Sequence, residues 1–186
     1  MYKNIVFDFG GVMVDFDPHK YLIDLFGNRG LDAGRITRRE ANERMLQRAR
    51  AVGRGFEVEG VLDDWMSMLH PRRRMQTLVE QLKQRGYCVY YLSNIPEDVL
   101  DLLMHRDFEG LFDGGVASCE VKVNKPDPRI YQALLDKYHL RADECIFIDD
   151  RADNLVAASA LGFGIYEMHN VGTLLRSLPT FGVSLH

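Results

Sequence analysis

The sequence predicts an α/β fold, a doubly wound parallel sheet with a small helical segment inserted after its first strand. Three observations predict it. Short apolar runs at residues 2–7, 87–92 and 145–148 lack the in-and-out alternation of a half-exposed strand, as strands covered on both faces do. Stretches of helical character separate them, and strands alternating with helices favour an open parallel sheet. Each run also stops at a cluster of polar residues, and sheets of this kind bind ligands outside the carboxyl ends of their strands.

The first run leads into Asp8-Phe9-Gly10-Gly11-Val12. The segment 18–70 then breaks the rhythm. It has no convincing strand, carries arginines at 29, 35, 38, 39, 44, 48, 50 and 54, and is punctuated by glycines. It is expected to hold two or three helices and to sit over the active end of the sheet. The chain therefore divides into an α/β core of residues 1–17 and 71–186 and a helical cap of residues 18–70. Arg72-Arg73-Arg74, after Pro71, reads as an exposed helix start.

The second run ends at Leu92-Ser93-Asn94, and a helix over 96–106 follows. Its Pro96 suits a first-turn position, and Glu97 and Asp98 suit the positive end of the helix dipole. Residues 115–123 and 164–168 are weaker strands. Lys125-Pro126-Asp127-Pro128 precedes a helix running to about Tyr138, with Ile130, Leu134 and Tyr138 on one face. The run at 145–148 ends in Asp149-Asp150-Arg151-Ala152-Asp153-Asn154, and the helix over 154–161 is stopped by Gly162. If the first and last of these strong strands flank the point where strand order reverses, Asp8 meets the Asp149–Asp150 pair there.

Composition narrows the function classes. Apolar residues at 46% and charged residues at 27% of 186 are ordinary for a soluble globular protein. A net charge of −4 gives no nucleic-acid footprint. No apolar run approaches the roughly 20 residues that span a bilayer, and the first strand begins too early to leave room for a signal peptide. Cys88, Cys119 and Cys145 are odd in number and unpaired in spacing; Cys88 and Cys145 read as buried thiols in a reducing compartment. The expectation is a cytoplasmic monomer that binds neither nucleic acid nor membrane.

The polar clusters together supply a carboxylate nucleophile, a hydroxyl and an amide, a lysine and a second pair of carboxylates. That set can hold a phosphate group and a divalent cation against an attacking oxygen. Singly, each has a plainer reading. Asp8 is a turn aspartate, Ser93 and Asn94 cap a helix, Lys125 is a solvated loop lysine with Lys122 as its rival, and Asp149–Asp150 opens a helix. Asp153 reads as a helix cap. The arginines at 35–54 read as a solvated helix face with local pairs such as Glu40–Arg44, and Trp65 as packing.

Taken in this order, the clusters resemble the four motifs of the haloacid dehalogenase superfamily of hydrolases. Asp8-x-x-Gly11-Val12 resembles the first, Ser93-Asn94 the second, Lys125-Pro126-Asp127-Pro128-Arg129-Ile130-Tyr131 the third, and Asp149-Asp150 with Asp153-Asn154 the fourth. The insertion after the first motif is similar to the family's helical cap. The Phe-Gly-Gly wording resembles a bacterial subgroup of sugar-phosphate phosphatases that includes glucose-1-phosphatase. The resemblance implies a HAD-like, Rossmann-like core, an aspartyl-phosphate formed on Asp8, and Lys125 as a catalytic charge that also contacts substrate beside Ser93 and Asn94. It implies Mg²⁺ bound directly by Asp8 and Asp150 and by the Gly10 carbonyl, and through water by Asp149 and Asn154. The implied substrate is a small phosphorylated metabolite.

One position departs from the phosphatase pattern. Most phosphatases of the superfamily carry a general-acid aspartate two residues after the nucleophile, and here that residue is Gly10. Proton transfer by a placed side chain is typically worth ~10²–10⁴-fold. The substrate then has a good leaving group, as an anomeric sugar phosphate does, or Asp15, Asp17, His19 or a cap residue supplies the proton, or turnover is poor. The leading expectation is a Mg²⁺-dependent phosphomonoesterase. A carbon–halogen hydrolase using the same aspartate and a non-catalytic phosphometabolite-binding protein are the alternatives.

Overall fold

The computed structural model describes residues 1–16, 32–56, 58–59 and 69–185, with Phe16 as backbone only. Asp17, His19 and Trp65, with residues 18–31, 57 and 60–68 of the segment read as a cap, lie outside the described residues.

Five strands form a parallel sheet. They are β1 (Asn4–Phe7), β4 (Cys88–Ser93), β5 (Gly114–Ala117), β6 (Cys145–Asp149) and β7 (Gly164–Glu167), ordered β5-β4-β1-β6-β7. The chain winds outward from β1 through β4 to β5, then returns to the other side of β1 for β6 and β7. Strand order therefore reverses beside β1. Phe7 stands level with Tyr91 on one side and Ile148 on the other, so Asp8, Leu92 and Asp149 stand at the same height at the carboxyl ends of the three strands.

Helices cover both faces, which explains the unbroken apolar runs. Ile5 and Phe7 point to one face with Val89, Tyr91, Ile146 and Ile148. There they meet Met75, Leu78, Val79 and Leu82 of α2 (Arg73–Gln84) and Val99, Leu100 and Leu103 of α3 (Glu97–Arg106). Val6, Tyr90, Leu92, Val116 and Phe147 point to the other, against α5 (Pro128–Tyr138) and α6 (Ala152–Ala160). Successive strand residues face opposite ways, so burial on both sides requires every position to be apolar. A last helix, α7 (Val171–Ser177), adds Leu174 to the first face.

Local chemistry sets the helix boundaries. Pro96 is the N-cap of α3, with Glu97 and Asp98 in the first turn. Asp127 caps α5 by accepting from the Arg129 amide at 3.0 Å, with Pro128 opening the helix. Its cap and its pairing with the Arg129 guanidinium hold Asp127 low, at about 2. Gly162 follows α6 at φ +97°.

Several expectations are corrected. The strand expected over 115–123 stops at Ala117, and Ser118–Val121 turn into a short helix α4 with the Glu120 carboxylate accepting from the Ala117 amide. Cys88 is exposed, because it opens β4 at the edge away from the core; Cys145 is buried as expected. Asp153 lies in the first turn of α6 and the N-cap is Arg151. Two short strands were not expected. β2 (Val14–Phe16) pairs antiparallel with β3 (Leu69–Pro71), Asp15 opposite His70. The chain thus leaves for the inserted segment and returns from it through a two-stranded ribbon.

Within the segment, α1 (Arg38–Ala51) starts at a reciprocal cap: the Glu40 amide donates to Thr37 Oγ1 at 3.2 Å and the Thr37 amide to Glu40 at 2.8 Å. Glu40 is thereby spent on the cap, and the neighbouring i,i+4 pair is Arg39–Glu43 at 3.8 Å. Arg38 forms a two-pronged pair with Asp98 of α3, at 2.9 and 3.0 Å, and so fixes α1 against the core.

Tyr131 ties the far-face helices together. It is fully buried, and its hydroxyl donates to the Asn154 carbonyl at 2.8 Å. Tyr131→Phe removes this bond while the helix ladder of α6 still pairs the carbonyl, and it is expected to cost about 0.5–1.5 kcal/mol, read as a lowered urea midpoint at unchanged slope.

Candidate active site

Asp8 follows β1 directly and is 6% exposed. Its amide stays on the ladder, donating to the Ile148 carbonyl at 3.0 Å. Phe9 anchors the turn beyond it, because its ring packs against Tyr91, Phe108 and Phe112 at centroid distances of 5.0 to 5.6 Å. The Phe9 carbonyl accepts from the amides of Val12, Met13 and Val14, and the Phe9 amide donates to Asp8 Oδ1 at 2.7 Å. Asp8 is thus held from both sides by backbone.

Lys125 is buried to 1% side-chain exposure between two carboxylates. Its Nζ lies 3.0 Å from Asp8 Oδ1 and 2.6 Å from Asp149 Oδ2, and 5.2 Å from the centre of the Phe147 ring. Its rival Lys122 donates to the Gly34 carbonyl at 3.3 Å. Asn94 uses both ends of its amide on the Lys125 backbone: Nδ2 donates to the Lys125 carbonyl at 3.0 Å, and Oδ1 accepts from the Lys125 amide at 2.7 Å. This double bond holds the lysine loop against the end of β4. Ser93 is buried and hydrogen-bonds Asp8 through its side chain.

Asp149 is wrapped. Besides Lys125, it accepts from Asn154 Nδ2 at 3.0 Å on each oxygen and from the Arg151 amide at 2.8 Å. Asp150 is half-buried, and its carboxylate lies against Gly11. A Cβ at position 11 would overlap Asp150 Oδ2, and Gly11 sits at φ +72°, where other residues are strained. Glycine is therefore required twice over at this position.

Asp8, Asp149 and Asp150 each bring one carboxylate oxygen within 4.8 Å of the others. Asp8 and Asp149 share the one Lys125 ammonium, so this buried pair alone outnumbers its cation by one charge. Burial pushes Asp8 up to about 6; Lys125 opposes the rise and the Asp149 charge adds to it. All-oxygen donors with that surplus charge fit a hard divalent cation such as Mg²⁺.

Gly10 is exposed, and none of the described residues lies within 4 Å of a Cβ built on it. Of the alternative proton donors, Asp15 is engaged by Arg72, whose Nε donates to its Oδ1 at 2.8 Å. Two residues at this end of the sheet carry no motif and were not expected. Ser118, fully buried, accepts from the Ile95 amide at 3.0 Å and donates to the Asp32 carbonyl at 2.5 Å. It links the loop after β4 to the inserted segment. Arg72 is half-buried against the nucleophile turn, while Arg73 and Arg74 are exposed as expected.

The inserted arginines are only partly the solvated, locally paired face expected, because Arg35 and Arg38 reach across to the core. Arg50 pairs with Glu59 at 2.5 Å, and Arg35 donates to the Lys122 carbonyl at 3.1 Å. No helix among the described residues is long and apolar enough to cross a membrane.

Comparison with known proteins agrees with this geometry. The profile of the haloacid dehalogenase-like hydrolases matches residues 2–162. The sesquiterpene phosphatase astK of Aspergillus oryzae is 29% identical over 185 residues, covering 94% of each chain. The D-ribitol-5-phosphate phosphatase of Bacteroides thetaiotaomicron is 27% identical, covering 91% of this chain and 93% of the relative. A HAD family enzyme of Bacteroides thetaiotaomicron, solved in complex with magnesium and inorganic phosphate, superimposes with a TM-score of 0.70 over 95% of this chain and 100% of its own at 23% identity. A dehalogenase superimposes with a TM-score of 0.72 over 92% of this chain and 86% of its own at 21% identity. These two likenesses establish the shared fold. With its profile match over most of the sequence and its motifs converging at one sheet edge, the chain belongs to the haloacid dehalogenase-like hydrolases.

Proposed function

We propose that this hydrolase is a Mg²⁺-dependent phosphatase that transfers the phosphoryl group of a small phosphomonoester, of the sugar-phosphate class, to Asp8 and then to water. The observation that carries the reading is the buried Asp8–Lys125–Asp149 array with Asp150 beside it at the reversal point of the sheet. Phosphatase names on two relatives that match over nearly their whole lengths support it.

Each residue has a task in this reading. Asp8 attacks phosphorus, and the resulting aspartyl phosphate is cleaved by water. Lys125 places a fixed charge where the transferred oxygens accumulate negative charge. Ser93 and the backbone after β4 face the same oxygens, while the Asn94 side chain holds Lys125 in place. Asp8, Asp150 and the Gly10 carbonyl would hold Mg²⁺, with Asp149 and Asn154 around them. The cation, when bound, neutralises charge on the phosphoryl group and aligns it with the nucleophile. Residues 18–70 are read as a cap that selects the substrate, and the chain as a cytoplasmic monomer acting on a diffusible metabolite.

A dehalogenase reading fits less well. Displacing halide from a carboxylate substrate needs no cation, and three acids without one would repel both each other and the substrate.

Hydrolysis of a panel of sugar phosphates, nucleotides and acyl phosphates with and without Mg²⁺ tests the reading. Activity is expected to vanish with EDTA and in Asp8→Asn; turnover of haloacids surviving chelation overturns it. Lys125→Met leaves two buried carboxylates facing each other without their cation. It is expected to abolish turnover and to destabilise the protein by about 3–5 kcal/mol at neutral pH in urea titrations. Gly10→Asp enters open space. It is expected to raise kcat/KM on alkyl phosphates by roughly 10-fold, short of the ~10²–10⁴-fold of an evolved general acid, with a smaller gain on acyl phosphates, whose leaving group needs no proton.

A further inference from the structure

Arg72 joins the ribbon of the inserted segment to the turn that carries the nucleophile. Its Nη1 donates to the Gly11 carbonyl at 2.8 Å and the Val12 carbonyl at 3.3 Å. Its Nε and Nη2 both reach Asp15 Oδ1, at 2.8 and 2.5 Å, and its backbone amide donates to the Met13 carbonyl at 2.8 Å. One residue thus ties down four of the five positions from 11 to 15. A guanidinium can do this because its donors lie in a rigid plane, and a lysine ammonium cannot reproduce the fork.

The tether has a chemical consequence because of what rests on Gly11. The Asp150 carboxylate lies against the Gly11 Cα so closely that no side chain fits between them. The Gly11 peptide is held at φ +72° by two contacts: its amide donates to the Val14 carbonyl at 3.0 Å, and its carbonyl accepts from Arg72. Rotating that peptide moves the surface that Asp150 leans on, and with it the spacing of Asp150 from Asp8. The Arg72 guanidinium bonds run to Gly11, Val12 and Asp15.

We propose that Arg72 is a positioning residue that sets the Asp8–Asp150 geometry for cation binding by clamping the Gly11 peptide from the root of the inserted segment. This rests on the functional reading above only in taking those acids as the cation site. Residues that hydrogen-bond a metal ligand typically cost ~10–100-fold in affinity when lost, and Arg72, which acts one step further out through the Gly11 peptide, is placed at the lower end of that range.

Mg²⁺ binding to the full-length protein, measured by titration calorimetry well below the melting temperature, tests it without reference to turnover. Arg72→Ala is expected to weaken Mg²⁺ about 10-fold and to lower kcat more than it raises KM. Arg72→Lys, which keeps the charge and loses the fork, is expected to fall between the two, and it serves as the reporter if the alanine variant does not fold. Arg73→Ala, at the exposed neighbour, is expected to bind as wild type does. Wild-type Mg²⁺ affinity in both Arg72 variants, whatever their melting temperatures, overturns the proposal alone. A wild-type protein that binds no Mg²⁺ overturns the functional reading and this proposal with it.

Discussion

The ammonium of Lys125, set between the carboxylates of Asp8 and Asp149, is the contact on which the rest of the site depends. Its two partners come from strands far apart in sequence and adjacent in the sheet, β1 and β6. Without a cation between them, two acids at 6% and 0% exposure would drive each other apart or remain protonated. A single buried pair is weak evidence of stabilisation, since desolvation offsets much of the Coulomb gain. Here the surrounding bonds change the balance. Asp149 is saturated by Asn154 and the Arg151 amide, and Lys125 is fixed through its own backbone by Asn94. The array is satisfied on the protein side and still carries excess negative charge toward the open edge.

Much of this was legible in the sequence, for physical reasons. Strands covered on both faces must be apolar at every position, so β1, β4 and β6 announced themselves as unbroken runs. Their polar terminations marked the sheet edge where the chain turns, and the order of those terminations identified the superfamily. The neighbouring Pro126-Asp127-Pro128 favours Lys125 over Lys122, and Lys125 is the lysine that lies between Asp8 and Asp149.

What escaped the sequence shares a cause. The ribbon strands β2 and β3 are three residues each, too short to show a period of two. Without the ribbon, Arg72 looked like its neighbours in a basic triplet, because only the return of the chain brings it against Gly11. Ser118 was hidden inside an expected strand, since an Ala-Ser-Cys stretch gives no sign of where a strand yields to a helical turn. Cys88 was misplaced by one step at a strand's start, where burial changes within a single residue. Asn94 looked like a substrate donor, and pairing over 31 positions with a backbone cannot be seen in a linear pattern.

The ribbon also bears on how such a chain could change over evolutionary time. Because Asp15 stands opposite His70, the two ends of the inserted segment are neighbours on adjacent strands, spaced by about 4.7–4.9 Å. A connection that starts and finishes at one rung imposes no length or shape on whatever lies between. The residues of the lysine array lie outside the inserted segment, and the root of the ribbon reaches the turn after Asp8 through Arg72. The insert can therefore be exchanged with the sheet and the residues at the ends of its strands left in place, as long as the rung and Arg72 are kept.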